Sequence, residues 1–490
     1  MKTQRLSILL FLLSTMVLLT GCGTTPSAMG AESTPASQAL SDAGPTPLPT
    51  RNPHPPGEIV SYEAQNGDTL IAIASHFGST VEEILDANPD LPDWITTLPP
   101  GYPLQVPAYY VSLTGSPFRM LPDSEVVYGP SASDFDTRSE VLRRPGFITD
   151  LTAWAFERQR TGWELVQVVA ENYSLNPRLL LALLEYHTQA LSKPFAEAIE
   201  IAYPLNYQNE DYEGIYYQLL WAAERISDGY YGWRMGVLTE FDLADGLLVR
   251  PDSWLNAGTV AMQYFFAGAN GMEDFNHHIS PEGFYQTYTD LWGDPFSLED
   301  HFIPTNLQQP ELALPFLPNH IWTYTGGPHF SWGTAYPYGA LDFAPPTVMH
   351  GCAYSAEWVT APAAGVIARS GDAVVILDLD GDGDEHTGWV LFFFHLANDS
   401  LIRAGTRVEP GDLLGRPSCD GGRSTGTHVH IARRYNGEWI TAGQPIPFVL
   451  DGWMADYGDA PYLGTLTKGS QVITASDSGT QDSLIIYRFP

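Results

Sequence analysis

His428 and His430 stand two positions apart in a run, residues 427–432, that reads as a β-strand. Side chains two apart on a strand point to the same face, so both imidazoles reach one pocket. No other feature of the 490-residue chain constrains it more, because one short element is tied to one polar face. His329 and Asp342, from separate upstream segments, offer two further donors. Imidazole and carboxylate suit zinc, and a catalytic zinc site takes three protein ligands and keeps a fourth position for water. His395, in the run LFFFHLAND, completes a set of four histidines and one aspartate, which leaves two histidines for proton transfer. Each residue alone has an ordinary reading as a loop histidine, a strand-ending aspartate or a core histidine. Their joint occurrence with the glycine-rich approach CDGGRSTGTHVHI points to a metal site.

The runs GGPH…PYGALDF, FFFHL and CDGGRSTGTHVHI resemble the β-lytic, LasA-like branch of the lysostaphin/LytM-type zinc endopeptidases, over roughly the last third of the chain. The commoner branch of that family spaces its first ligand pair as His-x-x-x-Asp. Counting back from Asp342 by that spacing reaches Tyr338, which cannot serve. The β-lytic branch puts its first histidine well upstream, where His329 stands. The resemblance implies His329, Asp342 and His430 as Zn2+ ligands and His395 and His428 as the catalytic pair. One of that pair would take a proton from the attacking water and the other would stabilise the oxyanion. The departures are Phe394, where tyrosine is usual, and HVHI in place of HLHF.

The net charge of −34 argues against nucleic acid and against electrostatic adhesion to anionic lipid. Residues 1–21 look like a lipoprotein signal peptide: Lys2 and Arg5, an apolar run over residues 6–19, then Leu-Thr-Gly before Cys22. Lipidation of Cys22 would anchor an extracytoplasmic chain to the membrane at the cell envelope. Of the three cysteines, Cys352 and Cys419 then remain, and an exported chain with two in one domain points to a disulfide. Such a bond would pin the loop leading to His428. Residues 22–57, rich in Pro, Ser and Thr, read as a linker.

Residues 58–107 read as a βααβ module: an alternating strand from Ile59, a helix capped at Asp68 or Thr69, a second helix with a Thr80–Glu83 capping box, and a closing strand. The run NGDTL…STVEEILDANPDL…GYPLQVP resembles a LysM domain. That resemblance implies peptidoglycan glycan binding, through N-acetylglucosamine, by Gly67, Asp68, Thr69 and Leu70 and by Asn88, Pro89 and Asp90.

Residues 108–310 read as an all-α domain, with helices expected at 163–173, from Asn176-Pro177 onward, and at 212–226, 257–266 and 281–291. VAENYSLNPRLLLALLEYHTQ weakly resembles the lytic-transglycosylase helix that ends in a catalytic glutamate, which would make Glu185 a general acid on a degenerate lysozyme-like scaffold. Residues 311–463 read as an all-β antiparallel LytM-like domain, and 464–490 as a tail of polar strands. The acidic run from Asp378 to Asp384 lacks the bidentate glutamate of a calcium loop, because Trp389 stands there, and reads as a hairpin tip. The chain is thus expected to be multidomain α+β. Three functions follow: a zinc endopeptidase cutting wall peptides, a non-catalytic wall-binding scaffold, or a glycan-cleaving enzyme using Glu185.

Overall fold

The structure, a computed structural model, describes residues 48–110, 115–346 and 351–487. The leader, Cys22 and residues 22–47 of the linker lie outside the described residues. The architecture is mixed α+β, as expected. β1 (Glu58–Glu63) and β2 (Pro103–Ala108) pair antiparallel, with Val60 opposite Val106. α1 (Leu70–Phe77) starts where the Thr69 side chain accepts the Ala72 N–H, and α2 (Val81–Ala87) starts at the Thr80–Glu83 capping box. Leu70, Ile73, Phe77, Ile84, Leu104 and Val106 close a small core between them.

This module is bonded into the rest of the chain. His76 stacks on Trp233 with ring centroids 3.6 Å apart, and its Nε2 lies 2.9 Å from the Trp233 carbonyl oxygen. The Ser253 hydroxyl donates to the His76 carbonyl at 2.7 Å, and Phe77 meets Trp254 edge-on at 4.8 Å.

Helices dominate the next region. Asn176 caps the helix Pro177–Thr188 as its sequence dictates, and Leu180, Leu183 and Leu184 are buried. The helix begun near Tyr212 instead runs Ile215–Arg234 and packs against Ala257–Ala267. The all-α expectation needs correction, because Thr152–Ala155 pairs with Arg158–Thr161 in a hairpin and Phe241–Asp242 with Leu248–Val249. Phe156 and Glu157 turn the first hairpin at φ 47° and 60°. Such turns normally carry Asn or Gly, so the sequence gives no signal of this one.

A nine-stranded antiparallel sheet follows. At its middle, Val429–Tyr435 lies between Trp389–Phe394 and Tyr338–Ala344, and Ile321–Phe330 lies beyond. One face packs Leu341, Phe343, Leu391, Phe393, Val429 and Ile431 into a core shared with a four-stranded sheet. The alternate residues, among them Ala340, Phe392, Phe394 and Ala432, join the core of the helical region. The period-two alternation therefore puts Asp342 and His430 on the helix-facing side. The segment read as a C-terminal tail is part of the fold: Gly464–Lys468 pairs with Trp453–Tyr457, and Leu484–Ile486 pairs with Ile321–Phe330.

Burial carries the His76 pKa down to about 3. A free histidine titrates near pH 6.5, about the value for the unfolded chain. Below that pH the unfolded chain takes up a proton that the folded chain refuses. This contribution to stability is complete above about pH 6.5 and is lost as pH falls. Asp68, raised by burial to about 6, acts in the opposite sense, losing stability as pH rises through its window. His76→Gln keeps a donor for the Trp233 carbonyl and does not titrate. The gap in thermal midpoint between wild type and His76→Gln should shrink from about pH 7 to about pH 4. A gap constant across that range would contradict the assignment.

Candidate metal centre

His329, Asp342 and His430 meet on the helix-facing side of the sheet. Asp342 and His430 are cross-strand partners, and Gly326 also sits opposite Asp342. A Cβ on Gly326 would fall 2.6 Å from the Asp342 Oδ2, so only glycine leaves room for the carboxylate. Irregular register between Gly326 and Phe330 brings His329 alongside. His329 Nε2 and His430 Nδ1 each lie 3.3 Å from Asp342 Oδ1 and 3.1 Å from one another. All three residues are buried, and one ligand atom from each can hold a single ion.

The outer ring nitrogens decide what the inner ones do. His329 Nδ1 is 2.8 Å from the Gly327 carbonyl oxygen, and His430 Nε2 is 3.0 Å from that of Ser331. A carbonyl only accepts, so each outer nitrogen carries the proton. In a neutral ring the inner nitrogen then presents a lone pair. Burial, the largest influence, lowers the His430 pKa and keeps that ring neutral. Two lone pairs and a carboxylate oxygen thus converge within hydrogen-bond distance, an arrangement that a cation among them stabilises.

His428 and His395 stand beside this group with ring centroids 4.6 Å apart. His428 Nδ1 lies 2.8 Å from the Gly426 carbonyl oxygen and its Nε2 3.8 Å from Asp342 Oδ2. His395 Nδ1 lies 2.9 Å from the Asp420 carbonyl oxygen. Burial, with His428 close by, carries the His395 pKa down to about 3. Its Nε2 is therefore a free base at neutral pH. His395 sits at φ 62°, a left-handed conformation costly for a non-glycine residue and common at active sites. The approach loop is glycine-rich for a packing reason: a Cβ on Gly421 would meet the Phe394 ring at 2.6 Å. Cys352 and Cys419 are disulfide-bonded with Cα atoms 5.7 Å apart. The Thr427 N–H donates to Gly351 O at 3.1 Å, so the segment at 351–353 holds both ends of the loop.

Tyr462 carried no signal in the sequence. It stacks on His329 with centroids 4.2 Å apart from a loop after the Trp453–Tyr457 strand. Burial and the Asp342 charge raise its pKa. The helical region also reaches the site, where Arg160 binds Asp372 at 2.6 Å and Trp332 bridges Phe156 and Phe394.

Other expected site residues lie elsewhere. Glu185 accepts from the N–H groups of Leu191 and Ser192 at 2.9 and 3.2 Å and from the Ser192 hydroxyl at 2.5 Å. It closes the turn after its helix, so the general-acid reading gives way to a structural one. In the LysM-like module Gly67, Asp68 and Leu70 of the expected glycan-binding loop are buried and Thr69 half-buried. Asp68 accepts the Tyr62 hydroxyl at 2.6 Å, and the Arg234 guanidinium binds the Asn66 carbonyl over Gly67. Asn88 uses its side chain to brace Ile84 and Gln105, leaving Pro89 and Asp90 exposed. Ile303 donates to the Asn66 side chain at 3.0 Å and Leu307 to the Thr97 hydroxyl at 2.9 Å, so the segment that follows the helical region covers one side of the module. Asp378, Asp380 and Asp382 cluster at the expected hairpin tip, where their carboxylates accept backbone N–H groups of the same turn.

Comparison with known proteins agrees with this architecture. A LysM domain model matches residues 62–107, and a model described as LasA, N-terminal domain, matches residues 119–306. The latter gives the helical region a different relative from the transglycosylase likeness of its sequence. Protease LasA of Pseudomonas aeruginosa (strain UCBPP-PA14) is 24% identical over 349 residues, covering 66% of this chain and 75% of LasA. The β-lytic metalloendopeptidase of Achromobacter lyticus is 29% identical over 136 residues, covering 26% of this chain and 34% of that protein. Among solved structures, the M23 metalloprotease pseudoalterin is 26% identical and covers 34% of this chain and 96% of its own, with a TM-score of 0.29. The lysostaphin catalytic domain of Staphylococcus simulans is 22% identical, covering 25% and 90%, with a TM-score of 0.19. The chain is a zinc metalloendopeptidase. It resembles LasA and the LytM-type peptidases, and it carries a LysM domain.

Asp342→Asn keeps the side-chain shape and removes the charge that two imidazoles face. Wild type should retain about one zinc per chain through desalting, and the variant well under half of that. Chelation should lower the thermal midpoint of wild type far more than that of the variant. Equal zinc retention would place the ion elsewhere.

Proposed function

We propose that this chain hydrolyses peptide bonds of peptidoglycan, with zinc held by His329, Asp342 and His430 and with His395 and His428 as the proton-handling pair. One observation carries the reading: two outward-donating imidazoles aim lone pairs at one carboxylate oxygen, beside two more histidines each fixed through Nδ1 by a backbone carbonyl. Zinc bound there supplies Lewis acidity.

The remaining steps belong to the side chains. His395 and His428 each have Nδ1 fixed by a backbone carbonyl, so each ring presents Nε2 in one tautomer and one orientation. One Nε2 takes the proton of the attacking water. The imidazolium so formed hands that proton to the leaving amine, and the other histidine steadies the developing oxyanion as a protonated N–H donor. Tyr462, stacked on His329, holds that ring and narrows the entry on its side. The disulfide-pinned loop keeps His428 in register with Asp342.

The LysM domain supports a wall glycan as the surrounding polymer. The leader read before Cys22 would tether the protein to a membrane outside the cytoplasm, in keeping with the disulfide. With −34 net charge, attraction to anionic wall polymers cannot supply the targeting, which falls to specific sites and the anchor. The completeness of the five-residue set favours hydrolysis over a purely scaffolding role.

Isolated wall treated with the zinc-loaded protein should release fragments with new amino termini by mass spectrometry, and no anhydro-sugar ends. His395→Gln and His428→Gln should each keep zinc and lose on the order of 10²-fold or more in rate. His430→Ala should lose both zinc and activity, and Glu185→Gln neither. Wall digestion surviving in His430→Ala would refute the proposal.

A further inference from the structure

A cavity of about 510 Å³ lies where the LysM domain, the helical region and the catalytic region meet. Its volume falls in the range of small-ligand sites, roughly 300–1,000 Å³. Thr69 and Ile71 line it from the LysM domain, Val237 from the turn after Ile215–Arg234, and Tyr336, Tyr338 and Tyr457 from the catalytic region. It adjoins the metal centre through the chain itself. Pro328 and Pro461, which also line it, are the immediate neighbours of His329 and Tyr462. Tyr338 stands four residues before Asp342 on one strand and so shares its face.

The lining defines the ligand. Apolar surface predominates, with three tyrosines that are only partly buried. Apart from the already bonded Thr97 hydroxyl and the Arg234–Glu438 pair, the polar lining is the Thr69 and Thr441 side chains, the exposed Gln444 amide, and the exposed carboxylates of Asp456 and Asp459. Arg234 also lines it, but its charge is already met by Asp123 at 2.9 Å and Glu438 at 3.2 Å. An anion would therefore find acidic groups and a spent cation. An uncharged ligand with flat apolar faces and polar edges fits, and a pyranose ring has those properties. An acetamide substituent would match the exposed Gln444 amide, donor to acceptor and acceptor to donor.

The same geometry accounts for the covered LysM loop. Asn66 beside it is spent on Arg234 and on the Ile303 N–H, yet Gly67 and Thr69 still border the cavity. We infer that this three-walled cavity is a saccharide subsite, which takes an uncharged N-acetylated amino sugar of a glycan strand and presents the attached peptide to the metal centre. The inference rests on the proposed peptidoglycan hydrolysis and names how that reaction selects its substrate: peptide joined to glycan is preferred to peptide alone.

The test uses the full zinc-loaded chain and three probes: the N-acetylglucosamine tetrasaccharide, a stem peptide bearing its disaccharide, and the same peptide free. Ile71→Trp and Val237→Trp each add bulk to one wall from positions 44% and 56% exposed, where folding tolerates it. Gln444→Ala removes the amide without adding bulk. All three variants should weaken tetrasaccharide binding by roughly tenfold. They should raise KM for the disaccharide-peptide by a similar factor, leaving kcat and hydrolysis of the free peptide unchanged. Loss of binding in Ile71→Trp alone would assign the sugar to the LysM domain by itself and overturn the inference. So would equal KM for the two peptides in wild type, or a cavity that takes up the free peptide instead. Failure of wild type to cut either peptide would count against the hydrolase reading, while the binding arms would still decide the subsite.

Discussion

Two imidazole lone pairs and one carboxylate oxygen cannot share a buried space without a positive charge between them. The constraint comes from outside the site. The carbonyls of Gly327 and Ser331 take the outer protons of His329 and His430 and so dictate what the inner nitrogens present. Ser331 follows the strand Ile321–Phe330, so the segment that supplies one ligand also orients the other. Cross-strand pairing of His430 with Asp342 sets the third partner, and glycine at 326 admits its carboxylate. A one-residue slip of the His430 strand would turn both of its histidines into the sandwich core.

The helical region and the sheet are held together by buried charges. Glu385 binds Arg369 at 2.5 Å and Arg434 at 2.6 Å, and Arg434 reaches the Ser174 hydroxyl at 3.2 Å. The two guanidinium groups beside it overcome the effect of burial and hold the Glu385 pKa down. Arg234 joins Asp123 of the helical region to Glu438 beside the sheet. Desolvation offsets much of the attraction in such pairs, so they are weak sources of net stability. Their consequence here is geometric. Removing one partner strands a buried charge, which ties the position of the helices to the metal-bearing face.

The site was legible where chemistry is local. The two-residue spacing of His428 and His430 survives any fold that makes them a strand, and the capping box at Thr80 works within a single turn. What the sequence hid depends on long-range contact. Tyr462 comes to His329 through backbone bonds to Gly327 and Pro328, distant in the chain, and nothing in its neighbourhood resembles a ligand. The loop from Gly67 to Leu70 has the composition of an open sugar-binding loop. Its burial is decided by Arg234 and Ile303, more than 160 residues away along the chain. Glu185 was misleading for the opposite reason: a glutamate near a helix end serves equally well to close the turn that follows.

The most direct test is X-ray absorption at the zinc edge of the loaded full-length protein. The account predicts a first shell of two imidazoles plus oxygen donors, with Zn–N distances of about 2.0–2.1 Å. His329→Ala should lose one imidazole from that shell, and His395→Gln should leave it unchanged. A shell that loses an imidazole in His395→Gln and keeps both in His329→Ala would contradict the assignment at its centre.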